Sequence, residues 1–229
     1  MDVVLLRRRL NGSAHTPELA KARPNLLMGE DLPLEPRQKR SLEKRERLKQ
    51  AGLALFGENG YESTSIEDIT QRAHLAVGGF YQHFRSKRQL LLVLMDELLE
   101  KLSALDFRPQ GMTDVRAGVR ALLSRAFAHD LRYLGAYRAW QEAVLSDADL
   151  ARKQTKIHAW TMTRVMTVFQ LLQKLPGARP GVDIPSLARA MDIFFWSLLG
   201  QALRLSKAEL DQSIDSATHL IYHALFTDF

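Results

Sequence analysis

From about residue 37 onward, the hydrophobic positions recur at three- and four-residue intervals, and no segment shows the alternation of a strand. Leu48, Ala51, Leu55 and Phe56 mark one side of a helix predicted over 37–59, ended by the stop signal Asn59-Gly60. Thr64-Ser65-Ile66-Glu67 fits a capping box: the Thr hydroxyl caps a helix start and the Glu three residues on returns a bond. A helix over 65–73 follows, with Ile66, Ile69 and Ala73 inward. A tight turn at His74-Leu75 then leads to a third helix over about 76–84. At roughly 100° per residue, Phe80 and Phe84 share one side of that helix, with Val77 and Tyr81 at its edge. Gly78, Gly79, Gln82 and His83 fall on the opposite side.

The same periodicity predicts helices over 87–105, from Thr113 or Asp114 to 129, and over 133–145, 147–175 and 184–205. Asp106–Gly111, with Pro109, separates the first two. A capping box, Ser206-Lys207-Ala208-Glu209, opens a last helix to Phe226. The expected fold class is all-α: a three-helix N-terminal unit over 37–86 and a larger helical domain over 87–229. Residues 1–36 hold Pro17, Pro24, Pro33 and Pro36 without sustained periodicity, and read as a flexible or irregular arm.

Two adjacent glycines inside a helix cost roughly 1 kcal/mol each relative to alanine. On the outward face of the second helix of a helix-turn-helix, they would let the backbone approach a DNA major groove closely. Close packing of helices inside a core would also use glycine, and geometry alone leaves both readings open. Charge bears on the first reading, with a solvated charged helix as its plain alternative. Of the net charge of +6, residues 37–88 carry eleven Lys/Arg against six Asp/Glu, whereas 1–36 balance five against five and 89–229 sixteen against fifteen. A basic focus on a balanced chain suggests a polyanion partner.

Other features mainly exclude. No cysteine is present, so no disulfide framework or thiolate zinc site is possible. The apolar run Val3–Leu6 is too short for a signal peptide, and no run approaches a membrane span. A soluble cytoplasmic protein with no membrane partner is expected. An all-helical enzyme with a basic surface is the rival reading, but the chain has no P-loop, no His-Glu-x-x-His pair and no Gly-x-Ser-x-Gly elbow. The two carboxylates of Ser146–Leu150 have an ordinary explanation as a helix N-cap. No catalytic residue, metal site or cofactor is assigned.

The stretch STSIEDITQRAHLAVGGFYQHFRSKRQLL resembles the DNA-binding signature of the TetR family of transcriptional regulators. Thr64, Ile69, Ala73, Gly78, Tyr81, Phe84, Lys87 and Leu90 fall on the matching positions, His83 also fits, and Phe56, Gly60 and Tyr61 are in register upstream. Thr70, His74 and Ala76 depart from the pattern, standing where Ala, a turn Gly and a capping Ser are usual. The resemblance implies phosphate contacts by Thr64, Tyr81, His83 and Lys87, and groove or base-edge contacts by Val77, Gly78, Gly79 and Gln82. It implies a double-stranded DNA operator close to a palindrome, bound by a homodimer, and repression as the default action. It implies an effector pocket between the central helices, with Tyr137, Trp140, Gln141, His158, Met162, Met166, Phe169 and Trp196 as candidate liners for a small, mostly apolar molecule of unknown identity. The last two helices would pair across the two-fold axis, with Phe195, Leu199, Leu203, Leu210, Ile214, Ala217 and Ile221 at the interface. A DNA-binding module without a small-molecule ligand is the remaining alternative.

Overall fold

Helix α1 (Lys39–Asn59) buries Leu48, Ala51, Leu55 and Phe56, the stripe expected of it. These residues form one core with Ile69 and Ala73 of the α2 (Ile66–Arg72) segment, Phe80 of α3 (Val77–Tyr81), Phe84, and Leu90 of α4 (Lys87–Ser103). The computed structural model describes residues 22–105 and 114–227. After α4 come α5 (Val115–Asp130), a 3₁₀ turn (Leu131–Tyr133), α6 (Leu134–Ala143), α7 (Ala148–Leu172), α8 (Ile184–Gln201) and α9 (Lys207–Leu225). Among the described residues there is no strand, only an isolated bridge between Ala178 and Phe226. No helix among them is long and apolar enough to cross a membrane. The expected break at Asp106–Gly111, the Thr113 cap and arm residues 1–21 lie outside the described residues.

The N-terminal unit docks on the rest through two joints. In the first, α1 crosses α6 where Gly57 meets Gly135: a Cβ on Gly57 would lie 3.4 Å from the Gly135 Cα. The second is α4, whose residues from Gln89 to Asp96 are all buried, as are Leu98 and Leu99. A helix buried on every side is enclosed by the fold rather than resting on it. Its N-terminal end packs under α1, and its C-terminal half runs between α6, α7 and α5.

Residues 22–36 are irregular, as expected, but they are docked rather than free. Arg23 forms a two-pronged ion pair with Asp96 of α4 (2.7 and 2.9 Å), and Asp96 also accepts the Leu26 backbone N–H. Leu26 is buried, and its carbonyl accepts a bond from Lys153 of α7. Glu30 pairs with Arg88, which also binds Asp147 and Asp149 at the start of α7. The segment is thus a strap joining α4 to α7.

Three capping expectations shift or hold for simple reasons. At α2 the box is built one residue later: Ser65 caps and Asp68 returns the bond (2.9 Å to Ser65 N). Thr64 cannot cap, because its hydroxyl points inward to the Gly60 carbonyl (2.7 Å). Ser206 and Glu209 form the expected box on α9, and Asp147 caps α7 by accepting from the Asp149 and Leu150 amides.

Candidate nucleic-acid interface and buried cavity

Helices α2 and α3 meet through Ala73–Ala76, where His74 adopts φ +53°, the left-handed conformation that a turn glycine takes easily and histidine rarely. Behind the turn, Phe80 and Phe84 are fully buried with rings 5.6 Å apart. The opposite face of α3 is bare. A Cβ on Gly78 would meet nothing within 4 Å, and one on Gly79 only the Leu75 Cβ at 3.8 Å. The glycines are therefore not packing residues. Val77 and Tyr81 are large exposed side chains beside them, and Gln82 is exposed. On α1, Arg40, Lys44 and Arg47, with Glu43 and Glu46 between them, join Arg72 and His74 of the α2 end around an open groove.

Three of the expected phosphate-contacting residues sit differently. Thr64 is 1 % exposed and its hydroxyl is committed to the Gly60 and Leu55 carbonyls. Lys87 sends its ammonium back to the carbonyls of Tyr61 (2.6 Å) and Thr64 (2.8 Å), over the Tyr61 ring at 4.3 Å. Burial lowers its pKa, opposed by Glu62 and Glu142. Lys87 is thus a clamp between the first turn of α4 and the α1–α2 loop, held on the other side by Glu142, which accepts the Tyr61 amide at 2.6 Å. His83 is buried rather than outward, and neither ring nitrogen has a hydrogen-bonding partner among the described residues. Burial, then the charges of Arg45 and Lys44, depress its pKa and keep it neutral. Helical spacing fails at His83 because α3 ends at Tyr81 and the chain turns inward. Lys49 is also unavailable, paired to Glu46 and Glu97. Arg40, Lys44 and Arg47 are exposed, as are Arg37, Lys39, Arg72 and Arg85, of which Arg72 pairs with Glu58 and Arg85 with Asp31.

Between α4, α5, α7 and α8 lies a cavity of about 180 Å³. Its walls include Met95, Leu98 and Leu99 of α4, Phe127 of α5, Trp160 and Phe169 of α7, and Trp196 of α8. Of the expected liners, Tyr137, Phe169 and Trp196 do face it. Trp140 is fully buried elsewhere, its indole bonded to Gln154, and Gln141 is exposed. His158 lies on Trp196 with ring centres 4.6 Å apart, outside the lining, and pairs with Gln154. Met162 and Met166 pack against a separate cluster around Ile221 and Leu225. Sequence reading missed the two charged liners, Arg164 and Asp192. The signal for Asp192 was present as a lone carboxylate in Ala190–Trp196.

The expected interface stripe is covered largely by its own chain. Leu210, Ile214, Ala217 and Ile221 are buried, because α9 packs along α5. Phe195 and Leu199 line the cavity, and Phe195 stacks edge-on against Phe127 at 5.8 Å. Leu203 stays exposed near Gly57. The apolar groups left outward on these two helices are Ile193 (65 % exposed) and Leu220 (51 %), with Gly200 facing open space.

Residues 49–94 match a family model described as bacterial regulatory proteins, tetR family. The Tn10 TetC protein of Escherichia coli is 38 % identical over 80 residues, 35 % of this chain and 39 % of that protein. The transcriptional regulator TcmR of Streptomyces glaucescens is 29 % identical over 152 residues, 65 % of each. These matches span less than two thirds of either relative. Among solved structures, a SmeT–triclosan complex superposes with TM-score 0.60 at 22 % identity, covering 81 % of this chain and 92 % of SmeT. NalD, described as the secondary repressor of the MexAB-OprM multidrug efflux pump in Pseudomonas aeruginosa, gives 0.57 at 20 % identity over 84 % and 100 %. Both likenesses are of fold.

Proposed function

The chain carries the DNA-binding domain of the TetR family, and from that premise we propose a cytoplasmic transcriptional repressor. It binds a near-palindromic operator as a homodimer and leaves when a small, mostly apolar effector fills the cavity. One observation carries the coupling: the helix that lines the cavity with Met95, Leu98, Leu99 and Leu102 begins at Lys87, the clamp on the loop before α2. A displacement of α4 is therefore a displacement of the DNA-reading unit. An effector shifts that equilibrium only by binding one arrangement more tightly.

In this reading Val77 and Gln82 face base edges, and the bare surface of Gly78 and Gly79 sets how closely α3 enters the groove. Tyr81, Arg40, Lys44 and Arg47 supply phosphate contacts, which position without reading sequence. Lys87, Thr64 and His83 act from inside, by holding the loop and α3 in place. The dimer face is the outward side of α8 and α9 around Ile193, Gly200 and Leu220. It sets the two α3 helices roughly 34–36 Å apart, or a multiple, on the operator.

Selection of the purified chain against a random duplex library tests this. The expected product is a two-fold symmetric site whose affinity falls steeply with salt. Gly79→Leu should keep the fold with a melting temperature at or above wild type, since a Cβ there meets only the Leu75 Cβ at ordinary contact distance, 3.8 Å, and leucine favours helix over glycine, and should abolish operator binding. Tight binding by that variant, or enrichment of no sequence, removes α3 as the reading element.

A further inference from the structure

We propose that the cavity is built for a small aromatic or alkyl amine, with its ammonium held at Asp192 and its apolar body among Trp160, Trp196 and Phe127. This rests on the reading of the cavity as the effector site. Size sets the first limit. An apolar cavity of about 150 Å³ takes up benzene, so the 180 Å³ here suits one ring with a short arm, not a fused drug-sized scaffold.

Charge sets the second. Among the described residues two lining side chains are ionic, and they are not equally available. Arg164 donates to the carbonyls of Leu102 (3.0 Å) and Leu105 (3.3 Å) at the C-terminal end of α4, and its guanidinium lies 5.0 Å from the Trp160 ring centre. That position at a helix C-terminus, over an aromatic face, is a structural use of a cation. Asp192 differs. Its Oδ1 accepts from the Thr161 hydroxyl (3.3 Å) and the Trp196 indole (3.2 Å), while Oδ2 accepts no hydrogen bond among the described residues. No Lys or Arg pairs with it among them. Burial pushes its carboxyl above the usual range, against the opposing pull of His158, Thr161 and Trp196. A carboxylate in an apolar wall without a cation is costly until one arrives.

The surroundings fit the same guest. The Trp196 ring that bonds Asp192 is stacked on Tyr137 at 5.5 Å, and Trp160 also lines the cavity. Aromatic faces attract a desolvated ammonium. An anionic guest would meet Asp192 as a like charge and would have to take Arg164 from its carbonyls. A neutral guest gains the apolar contacts but leaves Oδ2 without a strong donor.

Three probes of one shape separate these cases: phenethylammonium, 2-phenylethanol and phenylacetate, titrated into the full chain at pH 7 and followed by calorimetry and tryptophan fluorescence. The amine should bind at least about tenfold more tightly than the alcohol, with phenylacetate weakest. Asp192→Asn keeps the Oδ1 acceptor for Thr161 and Trp196. It should erase the preference for the amine while retaining the alcohol. The wild-type ranking stands as a test even where that variant folds poorly. Equal affinity for amine and alcohol, tighter binding of phenylacetate, or an undiminished preference in Asp192→Asn overturns the amine assignment and leaves the effector cavity intact. Failure of all three probes to bind overturns the effector-cavity reading itself.

Discussion

Gly135 is the position where one added carbon should do the most damage. It lies in the first turn of α6, against α1, and a Cβ there would overlap the Leu53 carbonyl oxygen while standing 2.9 Å from Gly57 N and 3.0 Å from Leu53 C. Ordinary carbon contacts lie at roughly 3.5–4.0 Å. All three obstacles are backbone, so no side chain can swing away and the two helices must separate. Overpacking of this kind costs about 1–3 kcal/mol, and a backbone-to-backbone clash belongs at the upper end. Alanine returns up to about 1 kcal/mol of helix propensity. The net loss for Gly135→Ala is therefore about 2 kcal/mol, or a fall of about 4–8 °C in melting temperature for a chain of this size. Because α1 carries the DNA-reading unit and α6 the rest, operator affinity should fall as well. Circular dichroism melts and fluorescence anisotropy with a labelled operator read the two effects. Gly57→Ala is the control, since its nearest obstacle lies at 3.4 Å and its loss should be smaller. A Gly135→Ala protein that melts and binds like wild type would refute the close-crossing argument.

Arg88→Met removes the centre of an ion cluster, leaving Glu30, Asp147 and Asp149 facing one another across the strap and α7. Partial exposure limits the cost to about 1–2 kcal/mol at pH 7. Burial pushes Asp147 up, but Arg88 and the α7 amides pull it further down, so its folded pKa is below the unfolded value near 4. That stabilisation is present above the unfolded pKa and is lost as pH falls through the folded one. In urea titrations the variant should lose stability at neutral pH and show a smaller further loss in acid, and parallel pH curves for the two proteins would contradict the assignment. His83 has a depressed folded pKa, so below about pH 6.5 the unfolded chain takes up a proton that the folded one refuses. Stability should fall as pH drops from there. His83→Leu should flatten that slope and stabilise by about 1 kcal/mol by removing unpaired buried nitrogens; an unchanged slope in pH-dependent melts would show that His83 is not its source.

The DNA-reading unit was legible because its pattern is local. Ile69, Ala73, Phe80 and Phe84 are buried as their spacing requires, and the glycines face open space. Its errors are equally local. Thr64 and Ser65 each have an acidic residue three positions on, and the choice between the two boxes depends on the inward Gly60 carbonyl, which no spacing reveals. The resemblance put Leu210, Ile214, Ala217 and Ile221 under cover, but in the structure α5 covers them where a second subunit was expected. For the cavity, aromatic and methionine residues were half a guide: Tyr137, Phe169 and Trp196 line it, whereas Trp140, Met162 and Met166 pack elsewhere. The better mark was the carboxylate with apolar neighbours, Asp192. The prolines of the arm predicted irregular backbone, but its docking depends on Asp96 and Arg88, far away in the sequence.

In the proposed switch, helix α4 is the element through which one cavity would govern a distant surface. The Cβ position of Gly52 on α1 lies 2.8 Å from Leu90 of α4, so the two helices are in close contact beneath the DNA-reading unit. Asp96 ties α4 to the strap, and Met95, Leu98 and Leu99 face the cavity. Close-packed interiors do not deform continuously; they shift between discrete arrangements. A rod enclosed on every side cannot bend toward a guest without losing contacts along its length, so it moves as a unit or not at all. Lys87 then carries that movement into the loop before α2 through two short bonds to backbone, which do not slip as side-chain packing can. The strap would oppose it, because Arg23–Asp96 and Glu30–Arg88 hold α4 to the segment that reaches the start of α7. Under the proposed function, the effector's differential affinity would have to exceed that restraint, which would place the sensitivity of the switch in the strap and its specificity in the cavity.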